Sequence, residues 1–325
     1  MISFFMGANT CRGFCSLFDT LGGDVSVIKG YSGSGKSTLL KSLCGEGCER
    51  ILCSADSGSL DGVIRGNRAV LDGTAPHVFE PAGDGKYIVM PQPELFDLKD
   101  GIGKLRAEIK ADYGNAYALI SAANDARRAA REMMLACFNG DRFLKRADGI
   151  LKREKNAPGS LKYRFCDALC ADGAVCLEDT VDSLATRVIA VEDSFGLAEG
   201  FFSVLAEGFS GTDAYVCLSP LDPDKVRHII LPRLSLAFVT SDEIHVFKGR
   251  ATRTVHEKVY IDKAALARRS FEIKLLKNLE LSLLSSAFRF LAAAKEKHMK
   301  LEALIRPRLD TDAINGLISS LNGSF

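Results

Sequence analysis

The feature that most restricts the fold is internal: the second half of the chain reads as a worn copy of the first. Gly13, Leu17, Asp19 and Thr20 recur as Gly173, Leu177, Asp179 and Thr180, and Val27-Ile28 recurs as Val188-Ile189. Further on, Asp61 and Val63 match Asp224 and Val226, His77-Val78-Phe79 matches His245-Val246-Phe247, and Glu108-Ile109-Lys110 matches Glu272-Ile273-Lys274. Any one identity is within reach of chance, but their preserved order along half a chain argues for tandem duplication. The expected units are residues 1–155 and 160–325, joined by Asn156-Ala157-Pro158-Gly159-Ser160. A length of 325 residues suits this, since one core rarely grows beyond roughly 250 to 300 residues.

Each half opens with strand and helix patterns in alternation, which predicts an α/β unit with a mainly parallel sheet. In the first half, Val25-Ser26-Val27-Ile28 is a β-branched run, Lys36 to Leu43 puts Leu39, Leu40 and Leu43 on one helical face, and Ile51-Leu52-Cys53 and Ala69-Val70-Leu71 are further strands. The Pro- and Gly-rich passage from Thr74 to Pro93 reads as loop. From Ile102 the period becomes helical, with Leu105, Ile109, Ala116, Leu119, Ala123, Ala130 and Met133 on one stripe. A long helical hairpin is therefore expected to close the first half, and the helical stretch from Ala264 onward to do the same for the second.

Gly30-Tyr31-Ser32-Gly33-Ser34-Gly35-Lys36-Ser37 fits the P-loop pattern G-x-x-x-x-G-K-[ST], and Thr38 follows it. It lies between an apolar strand and an amphipathic helix, as the mechanism requires. Glycines let backbone N–H groups wrap a phosphate while the positive end of the helix faces it. Lys36 is expected to reach the β- and γ-phosphates, and Ser37 to place its hydroxyl on Mg²⁺. Asp72, at the end of the strand from Arg68, has the pattern of a Walker B carboxylate and is the expected second metal ligand, so Lys36 and Asp72 form the expected catalytic pair. Gly73 stands where many hydrolytic P-loop enzymes carry glutamate, which predicts slow turnover; Glu80, Asp56 and Asp61 are the candidate substitutes. His77, present in both halves, is a further candidate at the nucleotide edge, weighed against a loop-holding role.

In the second half the stretch Val191 to Glu199 is expected to replace the loop, with Gly196 matching Gly35, Leu197 replacing Lys36, Ala198 replacing Ser37, and Thr240 falling at Asp72. Its carboxylates predict no nucleotide there. The chain resembles a bacterial family of tandem P-loop proteins described broadly as ATPases or ATP-binding proteins. The resemblance rests on Phe5-Met6-Gly7-Ala8-Asn9-Thr10 with Gly13-Phe14, the P-loop, Cys53-Ser54 leading to Asp61-Gly62-Val63-Ile64, and Asp72-Gly73-Thr74-Ala75-Pro76-His77. It implies a cytoplasmic nucleotide-binding protein with a duplicated α/β core and a P-loop in each half, a pattern from which this chain departs in its second half by lacking that loop.

The resulting expectation is an ATP-binding, Mg²⁺-dependent slow ATPase with one site, a small-molecule kinase or a non-catalytic ATP-dependent binding module being the alternatives. No N-K-x-D guanine-reading tetrad is present. A net charge of +1 gives no reason to expect a nucleic-acid or membrane partner, so beyond the nucleotide only an unidentified protein or small molecule is expected. The ten cysteines suit a reducing cytoplasm. Three pairs share C-x₃-C spacing (Cys11 and Cys15, Cys44 and Cys48, Cys166 and Cys170), expected one turn apart on helix faces and read as buried apolar residues rather than metal ligands.

Overall fold

The computed structural model describes residues 1–81, 86–154 and 158–321, so Asn156 and Ala157 of the expected linker lie outside the described residues. The first half runs β1 (Ile2–Phe5), β2 (Gly7–Thr10), β3 (Gly13–Ser16), β4 (Asp24–Lys29), α1 (Lys36–Leu43), β5 (Glu49–Leu52), β6 (Leu60–Arg65), β7 (Arg68–Asp72), β8 (Lys86–Val89), α2 (Lys99–Leu135) and α3 (Gly140–Leu151). The second runs β9 (Leu161–Arg164), β10 (Asp167–Cys170), β11 (Gly173–Cys176), α4 (Glu178–Leu184), β12 (Arg187–Glu192), α5 (Glu199–Gly208), β13 (Ala214–Leu218), β14 (Val226–Leu231), β15 (Leu236–Ser241), β16 (Arg253–Val255), α6 (Lys263–Ala267), α7 (Ser270–Ile305) and α8 (Thr311–Leu321).

Two six-stranded sheets form, ordered β1-β5-β6-β7-β4-β8 and β9-β13-β14-β15-β12-β16, each beside a small hairpin, β2-β3 and β10-β11. Strand order and direction agree position by position. In each sheet the strand third from the edge, β6 or β14, runs antiparallel to both neighbours, and the other pairs are parallel. The sheets are thus mixed and mostly parallel. Even the register shift recurs, between Ile51 and Leu52 and between Cys217 and Leu218. Val27 and Ile28 are fully buried because β4 is an interior strand, flanked by β7 and β8. Strand β8 arises inside the stretch read as loop: it is short, its residues are mostly exposed, and no alternation marks it.

The shared register corrects part of the sequence alignment. Six residues separate β4 from α1 and six separate β12 from α5. Gly196 therefore stands at Gly33, not Gly35, with φ of 75° against 76°. Glu199, not Leu197, opens the helix at the place of Lys36. Likewise Arg227, not Asp224, occupies the place of Asp61, and Ala190-Val191, not Val188-Ile189, that of Val27-Ile28. The equivalences of Thr240 with Asp72 and of His245 with His77 agree with the sheet register.

The helical hairpins expected after each half do not form. Helix α2 instead lies antiparallel along α7 of the other half, Ile102 meeting Leu301 and Ile305 at one end and Met134 meeting Ile273 at the other. Two stripes of small residues, Ala116, Ala123 and Ala130 on α2 and Ala287 and Ala294 on α7, bury themselves in this seam. The short following helices cross over: α3 packs on α5, and α8 packs on α1. After α2 the chain turns within a few residues, and Asn139 caps α3 by accepting a hydrogen bond from the Arg142 N–H at 3.0 Å, which aims it away from α2. The C-x₃-C pairs are not on helix faces either: Cys15 lies on β3, Cys170 on β10 with Cys166 just before it, and Cys44 and Cys48 in the turn after α1.

One apolar core runs through both halves, joining Phe4, Phe5 and Leu39 to Phe165, Val181 and Val188. Phe5 and Phe165 exchange backbone hydrogen bonds of 2.9 and 2.8 Å, tying edge strands β1 and β9 together. Thr180 clamps β1 through both backbone groups of Ser3. Among the described residues no helix is long and apolar enough to cross a membrane.

Candidate functional site

The sequence places the candidate phosphate-binding loop, residues 30–38, at the end of β4, and its geometry follows from its glycines. Gly33 and Gly35 have φ of 76° and 89°, the left-handed region that a side chain disfavours. Lys36, the first residue of α1, is 9% exposed and folds back over the loop: its Nζ donates to the carbonyls of Gly30 at 3.1 Å and Tyr31 at 2.9 Å. The same ammonium lies 3.7 Å from Asp72 Oδ2. Asp72 reaches it because β7 pairs in parallel with β4, bringing Asp72 opposite Ile28 just before the loop. Its other oxygen accepts from the Thr74 N–H and hydroxyl, at 3.0 and 2.5 Å. Burial pushes the Asp72 carboxyl above its ordinary range, although Lys36 and Thr74 pull it down.

The remaining loop residues fall into two groups. Ser37 Oγ accepts from the Leu60 N–H at 3.0 Å, Thr38 is exposed, and Ser34 is fully buried with a hydroxyl that has no hydrogen-bond partner among the described residues. Ser32 is held by the other half: its hydroxyl lies 3.0 Å from His298 Nε2 and 3.3 Å from Glu302 Oε1, both on α7. A Cβ on Gly33 would come within 3.3 Å of Glu302, and one on Gly35 within 3.3 Å of Ile314 on α8. The loop is thus roofed by helices from the end of the chain. Nothing local in the sequence signals this; the positions of His298 and Glu302 follow only from the antiparallel pairing of α2 with α7.

Gly73 fits its place because a Cβ there would lie 2.1 Å from Val27 Cγ1. The candidate substitute carboxylates are all engaged. Asp61 takes a 3.0 Å hydrogen bond from His77 Nε2, Glu80 is bound by Lys29 at 2.8 Å, and Asp56 faces Lys295 at 3.4 Å. His77 is not free at the nucleotide edge. Its Nδ1 lies 3.0 Å from Ser16 Oγ, its ring stacks on Phe18 with centroids 4.0 Å apart, and Phe14 meets it edge-on at 4.9 Å. Both nitrogens and one face are in use, so His77 pins the segment after Asp72 to the β2-β3 hairpin and β6.

The matching loop of the second half has the opposite electrostatics. Asp193, at the place of Gly30, folds its carboxylate inward and accepts from the Ala198 N–H at 2.9 Å. Arg127 of α2 contacts Asp193, Asp242 and Glu280 at 3.0 to 3.3 Å, and Arg131 binds the Gly196 carbonyl at 3.1 Å and Glu199 at 3.3 Å. These two arginines stand over Gly196 as Glu302 stands over Gly33. A cavity of about 270 Å³ opens beside this network. Its cations are already matched by carboxylates, so it offers no spare positive charge to a phosphate. No family model matches the chain, and neither a curated protein nor a solved structure is significantly similar to it.

Proposed function

We propose that the chain binds Mg²⁺-ATP at residues 30–38 and hydrolyses it slowly, with the second half a nucleotide-free copy of the same P-loop fold. The observation that carries this is Lys36: an ammonium lying across the loop carbonyls and 3.7 Å from a carboxylate on the adjacent parallel strand. Phosphate oxygens are better acceptors than these carbonyls, so the lysine can turn to them with little reorganisation. Ser37 and Asp72 are the Mg²⁺ ligands, and the N–H groups of Gly33 to Ser37 the phosphate cradle. Slow turnover follows from Gly73 and from the engagement of Asp61, Glu80 and Asp56, which leaves water without an obvious base. The same fact weighs against the kinase alternative. The duplication reading is supported by the common strand order, the recurring register shift and the paired glycines at positions 33 and 196.

A second reading is favoured by one contact: Ser32, at the loop's mouth, is bonded to His298 and Glu302 of α7. Nucleotide entry would loosen these bonds, so the protein acts as a nucleotide-dependent binding module whether or not it turns ATP over. A reducing cytoplasm is the proposed setting, in keeping with ten free cysteines. Phosphate release from Mg²⁺-ATP by the purified chain tests the enzyme reading. Release abolished by Lys36→Ala supports it, undiminished release overturns it, and binding without release leaves the module.

A further inference from the structure

Beside the hairpin of the second half, side chains of a different chemistry converge. Cys176 ends β11, Glu178 opens α4 two residues later, and His245 follows β15; one donor atom from each lies within 4.8 Å of the others, and all three are half-buried. His245 Nε2 is 2.9 Å from Glu178 Oε1, which also accepts from the Lys248 N–H at 2.8 Å. Asp242 Oδ1 holds the His245 backbone N–H at 2.9 Å. The sulfur of Cys166 lies within 4.8 Å of that of Cys176. The first half holds the same backbone positions with other residues. There Ser16, Phe18 and His77 stand in place of Cys176, Glu178 and His245, and Met6 in place of Cys166. The histidine is common to both halves and has a carboxylate beside it in each, Asp61 in the first and Glu178 in the second, but only in the second does the hairpin segment itself supply a thiol and a carboxylate, Cys176 standing for Ser16 and Glu178 for the ring-stacking Phe18.

We propose that Cys176, Glu178 and His245 bind a zinc-class divalent cation. A thiolate, an imidazole and a carboxylate suit a borderline-soft ion and not Mg²⁺ or Ca²⁺, which prefer all-oxygen shells. With Cys176 as thiolate and Glu178 ionised, the two anionic donors balance the ion's charge, so the occupied half-buried site is neutral. On binding, Cys176 loses its thiol proton to solvent and the ion loses waters to three donors. His245 keeps one proton, on Nδ1, and gives the Nε2 lone pair to the ion. Lys248 N–H and Asp242 act from behind, fixing the carboxylate and the histidine loop as outer-shell partners do. Cys166 is the remaining soft donor beside the site. The pairing runs between Cys166 and Cys176 across the hairpin rather than along the C-x₃-C spacing of Cys166 and Cys170.

The test is equilibrium dialysis of the full chain against buffered Zn²⁺ with elemental analysis, and titration with Co²⁺, whose thiolate charge-transfer absorption reports a sulfur ligand. The expected result is one ion per chain with that absorption, kept in Lys36→Ala, so the site is separable from the P-loop. Cys176→Ser, which installs the residue the first half already carries, should abolish the absorption and weaken Zn²⁺ at least as much as the roughly tenfold that loss of an outer-shell partner costs. Glu178→Gln should weaken Zn²⁺ while keeping the absorption. Circular dichroism checks that Cys176→Ser is folded; if it is not, Glu178→Gln alone decides. No bound Zn²⁺, no thiolate absorption, or unchanged affinity in a folded variant overturns the proposal.

Discussion

Lys36 makes contacts of two kinds, and its replacement separates them. Its ammonium now satisfies two loop carbonyls and faces a buried carboxylate; with nucleotide bound, the same charge is expected on the phosphates. Lys36→Ala should weaken Mg²⁺-ATP by about ten- to hundredfold, since charge-assisted hydrogen bonds are typically worth about 1.5 to 3 kcal/mol. Leu197→Ala, in an apolar cluster with Met134 and Ile273, should lower stability and leave affinity unchanged; titration calorimetry on both variants is the measurement. Glu257 gives a residue-scale prediction about pH. It is buried, one of its oxygens has no partner among the described residues, and burial, with Asp193 adding to it, pushes its carboxyl up to about 8. The unfolded chain ionises this group at lower pH than the folded one, so the fold loses stability as pH rises from the ordinary glutamate range to about 8. Glu257→Gln should therefore raise the melting temperature more at pH 8 than at pH 5; an equal effect at both would mean Glu257 ionises freely in the fold.

At the level of elements, legibility followed distance along the chain. Residues 30–35, the strand before them and the helix after them are contiguous, and this strand–loop–helix pattern was readable because backbone conformation there is dictated by local glycines and apolar period. Asp72 was readable as the end of a strand. What escaped was set by contacts across the chain: β8, too short and exposed to show a pattern; the crossing of α3 and α8; and the roof of His298 and Glu302. The alignment of Gly196 to Gly35 failed because the position of Gly196 is fixed by its distance from the strand end and the helix start, six intervening residues in both halves, and those ends are not marked in the sequence. His77 was visible as a repeated residue, but its partners Ser16 and Asp61 lie on two other strands. The roof makes its own prediction. Glu302 puts a carboxylate beside Ser32, where triphosphate charge would gather, and it is partly exposed to solvent. Glu302→Gln should tighten Mg²⁺-ATP by about two- to fivefold, the range of a screened interaction of about 0.5 to 1 kcal/mol, and more so at low salt. Weakened binding in that variant would mean that Glu302 helps to hold the nucleotide.

For the molecule as a whole, the exchange of helices decides how it should unfold. Sheet one is covered in part by α8 from the end of the chain, sheet two by α3 from the middle, and α2 is sealed chiefly by α7. Neither sequence half can bury its apolar surface without the other, because the core containing Phe5 and Phe165 belongs to both. Units with separate cores melt separately, whereas a shared core makes them lose their packing together. Scanning calorimetry should therefore give one transition. Ile120, fully buried where α2 meets Leu284 and Ala287 of α7, tests the seam: Ile120→Ala should lower that whole transition by about 2 to 5 kcal/mol, the usual cost of such a deletion. Nucleotide supplies the complementary test. A ligand at one hundred times its dissociation constant stabilises the state it binds by about 2.7 kcal/mol. Because the loop of the first half is roofed by α7 and α8, Mg²⁺-ATP should raise the single transition as a unit, carrying the nucleotide-free second half with it. Two resolved transitions, of which only one moves with Mg²⁺-ATP, would show that the halves unfold independently and that the roof over the P-loop is not coupled to the fold beneath it.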